Sequence, residues 1–448
     1  MTLQLSCDRE GAGAPRCLPW HKWHPAALAA GTLGREWLAV LSGLSAVFAV
    51  VIAVVSSQPP ERTWGRFAAV GYGTAWLIML TAAHLGPAAR RPGTRLAVLA
   101  ALTGSALAPL AWLAAAGRAQ PEVRVIIRSA SLFLYRGTPY QGTAALAAAH
   151  SPNAYDPYLP ALIVFGLPRV VLGGGLATDP RVWFGVVFVV TFGAALALLG
   201  TPRVGWWTAA VTASPVAAFP LSVGGDDLPV LGLLCLGFAL LAGGPRGRSW
   251  HRVVAAGLVL GLAAAMKATA WPALAVALAL AVARHGRRAA AAFSLAAAGL
   301  AVVADGPAVA AAPGAMVANT ITFPLGMGKV ASPAASVLPG HLIAAAGSGG
   351  RWAAVALVVI AGVAVGASLI VRPPADLPAA GWRLVAGLTL LFLLAPASRA
   401  GYFMYPLGLA AWLLLTRPAS LAASEQPSSQ VSGVRELGLS RGGAGPGT

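Results

Sequence analysis

Thirteen of the 448 residues are acidic, and four of them, Glu122, Asp156, Asp226 and Asp227, lie in short polar stretches between long apolar runs. An ionised carboxylate near hydrocarbon costs several kcal/mol unless it is paired or wetted, so acids this scarce are costly to place there without a task. Glu122 opens the segment Glu122-Val-Arg-Val-Ile-Ile-Arg128, a surface helix whose basic side, with Arg124 and Arg128, can rest at the headgroups and hold a lipid phosphate beside the carboxylate. The adjacent pair in Gly224-Gly225-Asp226-Asp227 can orient the hydroxyls of a sugar, bind a divalent cation or cap the following helix. Lys267, at the end of an apolar run and five residues before Pro272, needs an anion: a carboxylate or a lipid phosphate. Arg399, in Pro396-Ala-Ser-Arg399-Ala-Gly-Tyr402, is a further cation suited to a phosphate.

Each of these residues also has a plainer reading. Glu122 suits the N-terminal dipole of a helix whose arginines snorkel. Asp156, in Tyr155-Asp-Pro-Tyr158, suits a cap before proline, with Tyr140, Tyr155 and Tyr158 as interfacial aromatics. One aspartate of the 226–227 pair is enough for capping, and Lys267 can snorkel beside Trp271. His150 and His341 stand alone in the sequence, which for histidine usually means surface or core. Cys7, Cys17 and Cys235 lack metal-site spacing, and no disulfide framework or bound metal is expected.

The elements that must position these residues are membrane helices. With 58% hydrophobic and 10% charged residues and a mean hydropathy of +0.74, the chain falls outside the soluble classes, and its apolar runs of about 15–25 residues suit a ~30 Å hydrocarbon core. The formal charge of +18 comes from basic residues between apolar runs, without the basic face and stacking aromatics of a nucleic-acid binder. Arg90, Arg91 and Arg95 assign their connection to the cytoplasm. Arg203, Arg246 with Arg248 and Arg252, Arg284 with Arg287 and Arg288, Arg372 and Arg417 then all fall on that side if twelve spans run at about 37–55, 67–85, 96–116, 181–199, 204–222, 228–243, 252–268, 271–284, 289–304, 352–371, 382–396 and 402–416. The Pro- and Gly-rich stretch 158–173 lies along the interface or dips into it.

This reading divides the chain into a cytoplasmic tail over 1–34, a transmembrane domain over 35–417 and a disordered cytoplasmic tail over 418–448. The outer loops are 117–180, 223–228 and 305–351, and 122–140 forms an outer-face interfacial helix with a basic side. The tail carries His21 and His24, an exposed pair with no cleavable signal around it.

The ordered set Glu122-x-x-Val125, Arg128-Ser-Ala, Gly137-Thr-Pro-Tyr140, Tyr155-Asp-Pro-Tyr-Leu-Pro160, Gly225-Asp-Asp227 and Ala265-Met-Lys-Ala-Thr-Ala-Trp-Pro272 resembles the motifs of glycosyltransferase family 87. The resemblance spans roughly residues 96–330. It implies an all-α GT-C-like fold and a polyprenyl-phosphate-sugar donor, as in actinobacterial mannosyl- and arabinofuranosyltransferases. It also implies a catalytic acid in the first large outer loop, where Glu122 stands in place of Asp; Ile126 and Tyr155-Asp-Pro are further departures. The expected activity is inverting sugar transfer to a lipid or glycan acceptor on the extracytoplasmic face. Glu122 would be the base, and Arg124, Arg128, Tyr140, Asp156, Tyr158, Asp226, Asp227, Lys267 and Arg399 would bind substrate. No cofactor is expected beyond a cation option at Asp226 and Asp227. No P-loop or dinucleotide pattern is present, in keeping with a donor that carries its own leaving group. The alternatives are a lipid or sugar transporter or flippase, and a scaffold that retains the fold without catalysis.

Overall fold

A computed structural model describes residues 35–243, 250–324, 330 and 333–416. The two tails, with His21, His24, Cys7 and Cys17, lie outside the described residues, as do Arg246, Arg248, Lys329 and Arg417. The described part is helical, with a single isolated bridge between Ala335 and Ser398.

The first three helices form one packed group. They are α1 (Arg35–Val55), α2 (Pro59–His84) and α3 (Pro87–Ala115), the last with a π-turn over Thr103–Leu107. Proline opens α2 and α3, where its missing N–H costs nothing and its fixed φ suits a helix start. Glycine sets how closely they approach: a Cβ on Gly65 would lie 2.6 Å from the Ala49 carbonyl oxygen, and one on Gly71 would lie 2.7 Å from the Gly104 Cα. Such small-residue contacts are how helices associate where lipid removes the hydrophobic drive between them. The outward side chains are large and apolar, Val54 being 75% and Leu44 61% exposed, an arrangement that suits lipid and not water.

Next comes a non-spanning excursion: α4 (Pro121–Arg136), α5 (Thr143–Ala149), 3-10 turns over Pro152–Ala154 and Pro160–Phe165, and α6 (Leu167–Leu172). The expected interfacial helix is α4; its Val125 and Ser129 are buried while Arg124 and Tyr135 are exposed. The core then assembles from α7 (Pro180–Leu198), α8 (Val204–Thr212), α9 (Pro215–Val223), α10 (Leu228–Ala242), α11 (Trp250–Met266), α12 (Trp271–His285) and α13 (Arg287–Ala311). After α14 (Pro313–Val317) and α15 (Pro339–Ala345) come α16 (Ser348–Val371), α17 (Leu377–Leu394) and α18 (Met404–Leu415). Phe184, Phe188, Phe238, Leu260, Leu388 and Trp412 are among the side chains filling the main core.

Among the described residues eight helices are long and apolar enough to cross a membrane, against the twelve spans expected. The other four expected spans are short or broken. Segment 204–222 is divided because Ser214, barred from the helical region by Pro215, turns extended at φ −68°, ψ 150°. Each half is nine residues, about 13 Å at 1.5 Å per residue. Leu228–Ala242, Trp250–Met266 and Ala400–Leu415 fall in the 10–17-residue class of apolar helices. Segment 158–173, expected at the interface, is the 3-10 turn and α6, and the third outer piece begins later than expected because α13 runs to Ala311.

Local bonds gather several helix ends at one end of this bundle. The Gln120 side-chain amide donates to Glu61 Oε1 at 2.7 Å, its backbone N–H donates to the Val223 carbonyl at 2.8 Å, and Leu159 N–H donates to the Met266 carbonyl at 3.0 Å. Arg181 fastens the same end. Its guanidinium pairs with Asp179 at 2.8 Å and donates to the carbonyls of Arg118 and Ser222.

Candidate active site

Two glycines let the α9–α10 turn lie against α4. Gly224 has φ +123°, a left-handed value that side chains rarely adopt, and a Cβ there would meet Val123 Cγ2 at 2.4 Å. A Cβ on Gly225 would meet the Pro220 side chain at 2.5 Å. The turn sets Asp226 and Asp227 opposite the C-terminal end of α11. There Lys267 leaves the helix with φ −150°, ψ 136°, and its Nζ donates to Asp226 Oδ1 at 2.7 Å and Asp227 Oδ1 at 2.5 Å. The ammonium also lies 4.8 Å from the centre of the Tyr158 ring, a cation–π contact. All three charged residues are buried.

Two aspartates against one ammonium leave a net negative charge. Burial pushes the Asp226 carboxyl up to about 6; Lys267 opposes the shift and neighbouring Asp227 adds to it. Burial works against the Lys267 ammonium too, yet its two carboxylates outweigh this and hold it above its ordinary range. Asp226 Oδ2 is buried with no hydrogen-bond partner. A buried carboxylate oxygen without a donor is an acceptor awaiting one.

Glu122 sits in the first turn of α4. Its Oε1 pairs with the Arg399 guanidinium, while Oε2 is buried and unpartnered. Arg399 lies in the 395–403 connection between α17 and α18, and its side chain keeps 37% of its surface exposed. A strap from residues 335–341 holds that connection. Ser336 N–H donates to the Ser398 carbonyl at 3.0 Å, Ala400 N–H donates to Ser336 Oγ at 3.0 Å, and His341 Nδ1 lies 3.2 Å from the Pro396 carbonyl.

Asp156 closes the third side. Its Oδ1 accepts Tyr158 N–H at 3.0 Å, and its own N–H donates to Asn319 Oδ1 at 2.8 Å. The expected helix cap is therefore not made: the carboxylate closes a local turn onto Tyr158, and the following 3-10 turn starts from Leu159 without a side-chain cap. Burial pushes its carboxyl up to about 7 against the opposing pull of Arg128. Asp156 interacts electrostatically with Asp226, and Asp226 with Glu122. The four scarce acids therefore share one neighbourhood.

The remaining expected residues separate. Tyr140 is buried, and its hydroxyl donates to the Tyr158 carbonyl at 2.9 Å, fixing the ring that lies under Lys267. Arg128, expected to bind phosphate, donates instead to the backbone carbonyls of Asn153 and Ala154, at 2.5 and 3.0 Å, and so shapes the loop before Asp156. Arg124 is exposed and makes no hydrogen bond among the described residues. Lys267 sits between the aspartates, where a shared cation would sit. Among the described residues no group of three or more His, Cys, Asp or Glu side chains is placed to hold a metal ion.

Four participants were not singled out from the sequence. Tyr405, fully buried, donates to Asp227 Oδ1 at 2.8 Å and accepts from Thr269 Oγ1 at 3.2 Å. Tyr402 lies in the field of Lys267, Asp227 and Arg399. Asn319, fully buried, spans Asp156 and the Gln141 carbonyl. Asp305 Oδ1 accepts Ala161 N–H at 3.1 Å, tying α13 to the 3-10 turn. The scarcity that flagged four acids applied equally to Asp305, inside an apolar run; Tyr402 and Tyr405 offered only their closeness to Arg399.

The arrangement offers two buried oxygen acceptors, Glu122 Oε2 and Asp226 Oδ2, and a half-exposed guanidinium with donors to spare. It can take hydroxyl groups, remove a proton from one and face an anion. No curated protein and no solved structure matches the chain. The model of glycosyltransferase family 87 matches residues 157–396, a stretch that holds every site residue after Asp156 except Arg399 and the tyrosines beyond it, and that begins downstream of Glu122. With 240 of 448 residues matched, and with eight membrane-length helices among the described residues, the chain belongs to glycosyltransferase family 87.

Proposed function

We propose that this membrane glycosyltransferase moves a mannose- or arabinofuranose-type sugar from a polyprenyl-phosphate donor to a hydroxyl of a lipid or glycan acceptor, with inversion, at the extracytoplasmic face. The observation that carries the proposal is the unpartnered Oε2 of Glu122, buried beside the paired Arg399. In a single displacement the acceptor oxygen attacks the anomeric carbon, its proton passes to Glu122 Oε2, and the bond to the lipid phosphate breaks. Charge grows on the departing phosphate, and Arg399, which spends one N–H group on Glu122, has others to stabilise it. Asp226 Oδ2 accepts a sugar hydroxyl, and Lys267, Tyr405 and Tyr158 hold the aspartate pair in place.

Sidedness rests on charge. Arg90, Arg91 and Arg95 lie near the start of α3, Arg284 at the end of α12 and Arg287 and Arg288 at the start of α13, with Arg203 and Arg372 in connections; all are remote in sequence from the site segments, and the positive-inside rule supports the reading of the site end as the outer one.

The test is transfer of label from polyprenyl-phosphate mannose or arabinofuranose in membranes carrying the protein. Glu122→Gln should reduce transfer at least about 100-fold while the protein remains folded, since positioned acid–base catalysis contributes roughly 10²–10⁴. Undiminished transfer in that variant removes Glu122 as the base. Label that crosses the bilayer with its donor bond intact replaces transfer by transport.

A further inference from the structure

A second feature lies away from the site, along the pair α2 and α3. Arg66, the eighth residue of α2, stands about 10 Å along the helix from its start. It is exposed and makes no hydrogen bond or ion pair among the described residues. Arg62, one turn earlier, is also exposed. Near the start of a helix longer than the hydrocarbon core is thick, a free guanidinium stands where lipid headgroups lie and suits an anionic phosphate.

Arg66 is itself one wall of a groove of about 540 Å³ lined also by Phe67, Val70, Gly71, Thr74 and Gly104. Its origin is the close crossing of the two helices. A Cβ on Gly104 would fall 2.4 Å from the Gly71 Cα, so the backbones touch and neither residue has a side chain to fill the space alongside. Val70, on its rim, is 71% exposed. The groove is thus apolar, open to the bilayer, and capped by a cation.

We propose that this groove seats an acyl chain of an anionic glycerophospholipid whose phosphate rests on Arg66, with Arg62 as the second cation. Charge complementarity selects an anionic headgroup over a zwitterionic one, and the groove takes part of one chain by van der Waals contact. The donor phosphate has its own cation, Arg399, on another segment, so Arg66 serves a different lipid. The inference stands apart from the proposed transfer reaction.

Binding can be read directly. The full-length protein in mild detergent is incubated with phosphatidylglycerol or phosphatidylcholine, and retained lipid is counted by native mass spectrometry. Phosphatidylglycerol should be retained in clear preference; Arg66→Gln should reduce its retention about tenfold, the scale of one charge-assisted bond. Val70→Trp, which fills the groove and keeps both arginines, should reduce it as well, and Tm is measured for both variants to verify folding. Equal retention of the two lipids, unchanged retention in both variants, or one-for-one displacement of phosphatidylglycerol by polyprenyl phosphate would each overturn the assignment.

Discussion

Lys267→Met isolates the role of the ammonium that joins Asp226 and Asp227. In the native protein Nζ lies 2.7 and 2.5 Å from the two carboxylates, whose side chains are 3% and 11% exposed, and its own side chain is 7% exposed. Methionine keeps most of the volume and apolar contact while removing the charge, so the variant reports on electrostatics rather than packing. Two adjacent buried carboxylates then face one another uncompensated, and removing one partner of such a buried pair costs about 3–5 kcal/mol. For a chain of this size that corresponds to a Tm fall of roughly 6–10 °C, taking about 2 °C per kcal/mol. One carboxylate takes up a proton to limit the cost, so the deficit should shrink as pH falls from 8 to 5. The compensating triple variant, Lys267→Met with Asp226→Asn and Asp227→Asn, should recover most of the lost Tm even though it has lost more native groups. Tryptophan fluorescence melts in detergent, run as a mutant cycle, give the coupling energy. A single variant as stable as the native protein, or a triple variant no better than the single, would show that Lys267 does not compensate the aspartates.

Stability of the unsubstituted protein should rise on mild acidification. Asp156, 3% exposed, has its carboxyl raised by burial from 3.8 to about 7, so the folded state binds the proton more tightly than the unfolded one. Its contribution is fully present below pH 4 and lost as pH climbs toward 7, giving about 3 kcal/mol between pH 5 and 8. Asp226, raised to about 6, acts in the same direction over a lower window. Asp156→Asn should therefore flatten the upper part of a Tm–pH profile and leave the Asp226 part; an unaltered slope would count against the buried carboxyl. Gly340→Ala tests the strap: a Cβ there would lie 2.1 Å from the Leu394 carbonyl oxygen, forcing the 335–341 segment away from 396–400. A loss of about 1–3 kcal/mol in stability, accompanied by a fall in label transfer, is expected. Lost stability with full transfer would separate the strap from Arg399.

The acids were legible because membrane chains seldom carry them, and scarcity needs no knowledge of packing. Lys267 and Arg399 were legible as cations in want of an anion, but which acid each would meet was not. Lys267 lies 40 and 41 residues from its aspartates and Arg399 lies 277 from Glu122, and helix packing alone closes those distances. Arg128 shows how type misleads: a guanidinium suits a phosphate, but the carbonyls of 153–154 offered it nearer acceptors inside the protein. Apolar runs located the long helices well, yet 204–222 read as one span because its apolarity hid the backbone consequence of Pro215. At Asp156 the following proline suggested a helix cap, whereas the carboxylate closes a two-residue turn onto Tyr158; the Asn319 bond made by its N–H came from 163 residues away.

The order in which the site segments occur along the chain has a consequence for biogenesis. Glu122 is synthesised early, whereas Arg399 and Tyr405 sit at the entrance to the last helix. Until those residues are made, Glu122 lacks its only cation while Asp227, already paired with Lys267, lacks just the Tyr405 hydroxyl, so the assembly intermediate carries the unmet charge of Glu122. A polypeptide cut short before residue 399 keeps that defect permanently, which gives membrane quality control a physical mark by which unfinished copies can be told from finished ones.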